Sequence, residues 1–381
     1  MKKATYIFVF IYLFLLSWDG YFLLSTGLPF SLSFIPLGVI GIVFLSQILV
    51  MRKSLYIDRL LIPLILLLLY MFVSMLWAPT IHINSYIILL SYFMTLFIIN
   101  YLVKVQKINI SVIYGYFLGV LTIGLFTYST GEITQARFSI TEGFNPTWYA
   151  AQILWAIVIS VYFIQNTNFL SKVLLIAADV FLLFLLILTG GRNAFIALVL
   201  SLTISILYLY RFKAKKIIKY TFMFLVLVTS TYYIIEATVG LEILDRFIDI
   251  RLLIEGDSSR ATAGRTDIWI NYLNVINEYV IFGSGFKSSS GIVGESAHNI
   301  YITVLFETGI IGILLLLLFI QKLIMVSLKV KNTLSITILA MSLALLLLGF
   351  GNDTLYYKYW WTGFLVFIIL IDKFKMETVI R

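Results

Sequence analysis

Along this chain the apolar positions neither alternate nor keep to a narrow stripe; they run. Stretches of about 20 uncharged residues follow one another almost from end to end, separated by short polar clusters, and a run of that length crosses the hydrocarbon layer as a helix. Backbone polar groups in lipid must pair within their own segment, so the pattern predicts a bundle of helices. The runs lie near 5–25, 33–51, 59–77, 81–103, 110–129, 147–165, 171–189, 193–210, 217–236, 298–320, 333–350 and 355–372. The first, following Lys2 and Lys3, is too long for a signal-peptide core and lacks a small-x-small cleavage site, so it counts as a span. The expected fold is an all-α polytopic membrane protein of about 12 transmembrane helices.

One interruption is long, and it divides the chain into an N-terminal bundle over 1–236, a loop over 237–297 and a C-terminal bundle over 298–381. Connections beyond about 12–15 residues are usually functional or disordered, and this one carries a pattern of its own. In GRTDIWINYLNVINEYVIFG, Ile268, Tyr272, Ile276 and Val280 recur every fourth residue with Trp269 and Leu273 beside them. That stripe predicts a helix lying along the membrane interface, ended by Gly283 and Gly285. A GxG there is no dinucleotide fingerprint, because no strand precedes it.

Composition agrees: 61% of residues are hydrophobic and 12% charged, against roughly 45–50% and about 25% in soluble domains. Twelve spans put both termini on one side. With that side cytoplasmic, the inner segments hold 19 of the 27 basic residues, as the positive-inside rule asks. Of these 19, 15 are lysines, whereas 6 of the 8 outer ones are arginines. Lysine suits an anionic inner leaflet as a point charge; the arginine fork suits bidentate contact with phosphate or carboxylate. Each outer arginine has the alternative of pairing with an acid such as Glu132, Glu142, Asp245 or Asp249. The net charge of +9 is accounted for by the membrane and calls for no nucleic acid. The absence of cysteine excludes disulfides and thiolate metal sites.

Candidate chemistry gathers at the outer loop ends. His298, one of only two histidines, stands at the mouth of a long apolar run, with Asn299, Thr303 and Glu307 forming one polar row at helical spacing. Glu307 falls about 13 Å into the helix, a depth at which a carboxylate must face the bundle interior. It serves either a substrate or an internal hydrogen bond, and His298 is either a site residue or an interfacial one. Gly309 and Gly312 suit the close approach of a neighbouring helix. Arg192 sits in the tight LTGGRNAF turn, where Gly190 and Gly191 let the backbone come close, and Arg137 precedes a span that opens at Pro146. With Arg265 these arginines are placed to converge around His298 on an anionic, lipid-linked molecule.

Gly264, Arg265, Trp269, Gly283, Gly285, His298, Asn299, Glu307, Gly309 and Gly312 together resemble the pattern of the O-antigen ligase/polymerase superfamily. The GGRNAF and FNPTWYA stretches and GNDTLYYKYWWTGFL resemble that family's other signatures, so the likeness covers about residues 137–366. The chain departs from the usual Asn-Pro-Asn before the sixth span, having Asn145-Pro146-Thr147. The resemblance implies a GT-C-like, metal-independent, inverting glycosyltransferase without cofactor, working at the outer face of the cytoplasmic membrane on a glycan carried by undecaprenyl diphosphate. In the Wzy-type polymerase branch the acceptor is a second lipid-linked repeat unit; in the ligase branch it is lipid A core. Its further partners would be membrane lipid and the flippase and chain-length regulator of the same pathway. It implies that Arg192 and Arg265 grip the diphosphate and that His298 is general base or acceptor guide, with Arg137, Asn299, Glu307 and Trp269 contacting substrate.

The chemistry is consistent with those roles. Preorganised arginines stabilise a leaving diphosphate as the glycosidic bond breaks, and imidazole, whose charge changes near neutral pH, suits a general base. Twelve spans with inside termini also describe many transporters, yet those pair pseudo-symmetric halves around midplane charges. Here the halves differ, and Asp179 is the main midspan charge besides Glu307. A composition rich in Ile, Lys and Tyr favours a capsule polymerase over a lipid A ligase.

Overall fold

The computed structural model describes residues 2–28, 30–130, 138–211, 213–238, 264–330 and 334–379, and every regular element among them is helical. Nine helices precede the long loop: α1 (Lys2–Ser25), α2 (Phe34–Leu45, continued by a π turn at Ser46–Val50), α3 (Ile62–Ser74), α4 (Ile83–Gln106), α5 (Tyr114–Thr130), α6 (Pro146–Gln165), α7 (Phe169–Leu188), α8 (Arg192–Tyr210) and α9 (Ala214–Thr238). The loop supplies α10 (Arg265–Val275) and the single turn α11 (Ser289–Val293), and α12 (Ile300–Lys329), α13 (Ser335–Gly349) and α14 (Lys358–Val379) follow. Each predicted run holds one helix. Among the described residues seven helices, α1 and α4 to α8 with α12, are long and apolar enough to cross a membrane, while α2, α3 and α13 are shorter apolar helices.

The helices after the loop do not form a layer of their own. α12 packs on α3, α13 lies against α8 and α6, and α14 against α4, so the sequence division at 236 and 298 is crossed by the packing. Helices in lipid gain no hydrophobic drive toward one another and rely on close van der Waals fit. α1 and α5 achieve it at Gly115 and Gly119, where a Cβ would lie 2.4 and 2.3 Å from the carbonyl oxygens of Phe10 and Phe14. At the centre of the bundle Trp155 is fully buried, and its indole N–H donates to the Tyr359 carbonyl at 3.1 Å. The midspan carboxylate Asp179 is buried and accepts a hydrogen bond from Ser160 Oγ at 2.6 Å.

The loop segment before α12 is wedged into that helix. Gly309 leaves the helical conformation (φ 62°, ψ −162°), and the broken ladder is completed from outside: Ile310 N donates to Val280 O at 2.8 Å, while Ser284 N and Gly285 N donate to Phe306 O and Glu307 O at 2.8 and 2.9 Å. What approaches Gly309 is therefore the 281–283 backbone, not a neighbouring helix, and Gly283 is held so close that a Cβ would fall 2.3 Å from the Glu307 carbonyl carbon.

The tryptophan helix also ends sooner than its stripe predicts. α10 stops at Val275, a 3₁₀ turn covers Ile276–Glu278, and Val280 is spent on α12. Its stripe faces protein: Tyr272 is fully buried with Ala297 and Phe306, and Ile268 and Ile276 pack around them. Leu273, which borders the stripe, and Ile270, on the far side of the helix, are exposed.

Side-chain contacts mark two polar ends. At one, Lys104 Nζ lies 2.7 Å from Asp58 Oδ2 and 3.3 Å from Asp372 Oδ1, and Lys322 donates to the Arg59 carbonyl. At the other, Lys358 pairs with Asp19, whose carboxylate also accepts from the Ser33 N–H at 3.0 Å. This second end carries the candidate site.

Candidate active site

Arg192, Arg265 and His298 each stand where a helix begins. Arg192 is the first residue of α8 and Arg265 the first of α10, while His298 immediately precedes Asn299, the N-cap of α12. Helix N-termini present unpaired N–H groups and a positive dipole end. At α12 the Asn299 side-chain oxygen takes two of those donors, Tyr301 N at 3.0 Å and Ile302 N at 3.3 Å.

The loop carrying His298 is held from two sides. From α10, the Trp269 indole donates to the Ala297 carbonyl at 2.8 Å and the Tyr272 hydroxyl to the Glu295 carbonyl at 2.8 Å. From the turn between α13 and α14, buried Asp353 accepts from the Asn299 N–H at 3.2 Å, from Thr303 Oγ1 at 2.5 Å and from Ser296 Oγ. Between these anchors His298 adopts φ +48°, a left-handed conformation that costs a non-glycine residue roughly 1–2 kcal/mol. Its neighbours Ala297 and Asn299 are buried and its own side chain is half-exposed. Strain of this kind is retained where surrounding contacts over-determine it, and it clusters at functional sites.

Asp353 also links Arg265 to this loop. Burial and the adjacent Arg192 charge push the Arg265 guanidinium below its ordinary value, and Asp353 with Tyr359 acts in the opposite direction. Two guanidiniums from separate elements thus lie within electrostatic range of each other, beside the carboxylate that fixes the imidazole's loop. Both arginines are half-buried. Burial also raises the Tyr272 hydroxyl, to about 12, keeping it a donor to the loop.

The other candidates fall differently. Trp269 is half-buried beside His298, whereas Asn299 and Glu307 are buried at 5% and 1% exposure. Glu307 accepts from Ser289 Oγ at 2.6 Å, from Lys287 N at 2.9 Å and from the Tyr356 hydroxyl. Its carboxylate ties the 284–289 turn to the α13–α14 turn inside the protein, which is the internal use left open by the sequence. Arg137 lies outside the described residues; the next residue, Phe138, donates its N–H to Leu188 O at 2.8 Å, beside the turn that presents Arg192. Asn145 caps α6 by accepting from Thr147 N and Thr147 Oγ1 at 2.9 and 2.7 Å. The sequence marked GNDTLYYKYWWTGFL as an aspartate-aromatic signature but gave the Asp353 carboxylate no role. The available signal was an acid at the mouth of an apolar run, two residues after Gly351. Among the described residues no group of three or more His, Cys, Asp or Glu side chains is placed to hold a metal ion.

Residues 177–317 match the O-antigen ligase family. That match supports placing the chain in the O-antigen ligase/polymerase superfamily, and it spans Arg192, Arg265, Trp269, His298, Asn299 and Glu307. A comparison with curated proteins returned no match. The O-antigen ligase domain supports glycosyl transfer of the ligase/polymerase type, with lipid-linked glycans as the class of substrate. Asp353, Tyr356 and Tyr359 lie beyond the matched residues, yet Asp353 and Tyr356 hold the loop and helix that carry its central motif.

Proposed function

We propose that this protein polymerises oligosaccharide repeat units carried on undecaprenyl diphosphate, at the outer face of the cytoplasmic membrane with both termini inside. The observation that carries the reading is that Arg192 and Asp353 both act electrostatically on Arg265, while Asp353 holds the His298 loop by hydrogen bonds. Two half-buried guanidiniums that act on each other make a positive, forked site that suits a multivalent anion. A diphosphate supplies both the charge and the paired oxygens that guanidinium forks bind.

In the reaction the acceptor hydroxyl oxygen attacks the anomeric carbon of the donor glycan from the face opposite the diphosphate. The new glycosidic bond forms as the anomeric carbon–diphosphate oxygen bond breaks, inverting that centre, and the hydroxyl proton passes to the His298 imidazole. The charge released onto the diphosphate develops against the two arginines. Donors already aimed at that position need no reorganisation, which makes this kind of stabilisation large. Proton acceptance by His298 contributes a further factor of about 10²–10⁴. Trp269 keeps the Ala297 carbonyl, and with it the ring, at the correct height.

The test is made in cells carrying His298→Ala or Arg265→Ala, with Lys329→Ala as a control at the far end of α12. The expected result is loss of high-molecular-weight polysaccharide, with single lipid-linked repeat units accumulating outside and normal protein in the membrane. Polymer that forms on the carrier but is not passed to a second acceptor assigns ligation instead. Repeat units stranded inside assign transport, and unaltered polymer removes the residue from the site.

A further inference from the structure

A second feature borders the arginine pair and has no use in the reaction as described. Tyr359, in the first turn of α14, is 4% exposed, and its hydroxyl has no hydrogen-bond partner among the described residues. Buried polar groups in native proteins are almost always paired, and one that is not calls for an explanation. Its position is not loose. The ring stacks on Tyr357 at 5.6 Å and 9°, and its backbone carbonyl is pinned by the Trp155 indole. The electrostatic neighbours of the hydroxyl are Tyr357, Asp353 and Arg265.

Tyr101 gives the comparison that sharpens this. It too has a buried hydroxyl without a partner, but it lies in the second half of α4, edge-on to Phe44, and burial is the influence on it among the described residues. An unpaired hydroxyl in an apolar setting carries no implication of a ligand. The same group in the field of a guanidinium on which a second guanidinium acts does, because an anion held by the arginines is the natural acceptor for an O–H donor on that side.

We infer that Tyr359 is a third hydrogen-bond donor to the diphosphate of the lipid-linked substrate, held ready beside Arg265 with its hydroxyl reserved for a phosphate oxygen. This rests on the diphosphate reading above. Tyr359 binds and orients; the proton of the reaction still goes to His298. Tyr357, on which Tyr359 stacks, meets Trp148 at 5.4 Å in a tilted contact, and both are half-buried.

Three full-length proteins in lipid nanodiscs decide it: wild type, Tyr359→Phe and Arg265→Gln, each measured for binding of undecaprenyl diphosphate, undecaprenyl phosphate and undecaprenol, and for thermal midpoint without added lipid. Tyr359→Phe is expected to weaken undecaprenyl diphosphate binding about tenfold, change undecaprenol binding by less than twofold, and leave the midpoint at or above wild type, since the phenylalanine removes a group with no internal partner. Wild-type diphosphate affinity in Tyr359→Phe alongside loss in Arg265→Gln overturns the inference and leaves the arginine reading standing. Undiminished affinity in both overturns the arginine reading itself. A lowered midpoint in Tyr359→Phe shows that the hydroxyl has an internal partner and overturns the inference by another route.

Discussion

Asp353 offers the most discriminating perturbation, because its two roles separate by substitution. It accepts three hydrogen bonds from one short segment, at Ser296, Asn299 N and Thr303, and it places a negative charge near Arg265. Bonds to a charged acceptor contribute about 1.5–3 kcal/mol each, though they do not add. In Asp353→Ala the two hydroxyls can turn to other acceptors, Thr303 to the carbonyl one helical turn back, but the buried Asn299 N–H is stranded. The lost bonds and the stranded N–H together should cost about 3–5 kcal/mol. It falls on the loop that holds His298 at φ +48°, where roughly 1–2 kcal/mol of strain favours relaxation. If about 3 kcal/mol of restraint on that loop disappears, its productive conformer becomes roughly 100-fold rarer. Asp353→Asn keeps one oxygen for Asn299 N and Thr303, and Ser296 can accept from the new amide, so it should cost about 1 kcal/mol. Initial rates of polymer formation from lipid-linked repeat units, with thermal midpoints on the same purified samples, test the split. Alanine should lose at least about 100-fold in rate, and asparagine should keep a tenth or more. Equal losses in the two variants would refute the hydrogen-bonding account and assign the role to charge, and a fully active alanine variant would remove Asp353 from the site.

The remaining predictions probe the same restraints one at a time. His298→Gly and His298→Ala should both be inactive, but glycine, unstrained at positive φ, should unfold at the higher temperature by the equivalent of about 0.5–1 kcal/mol; the reverse order would mean the strain is absent. Glu307→Ala, which strands Lys287 N, Ser289 and Tyr356, should cost about 3–5 kcal/mol and show as less folded protein in membranes; a normally folded variant with a raised KM would return Glu307 to the substrate. Trp269→Phe should lose about 1 kcal/mol with its bond to Ala297, lowering the rate by no more than roughly tenfold. Arg192→Lys should fold normally yet weaken undecaprenyl diphosphate binding, because a point charge does not reproduce the fork; unchanged affinity would exclude Arg192 from the grip.

What the sequence determined is one-dimensional. Uncharged runs of spanning length determined α1 to α9 and α12 to α14, since a backbone in lipid has few alternatives, and the residue types at loop mouths made Arg192, Arg265 and His298 candidates. Local chemistry was legible too: Asn299 and Asn145 cap the helices that follow them. The partner of each candidate was not legible. Glu307 sits inside one apolar run and Asp353 just before another, and neither position names a partner, yet one ties two turns together inside the protein and the other stands between the imidazole loop and an arginine. That difference depends on how α10, α12 and the α13–α14 turn meet. Close packing in lipid is decided by shape, as at Gly283 against Glu307 and at the Gly309 break, and shape arises only when segments distant in the chain come together. Tyr359 belongs to the same class: a tyrosine among 24 in the sequence, set apart only because folding leaves its hydroxyl unpaired beside Arg265.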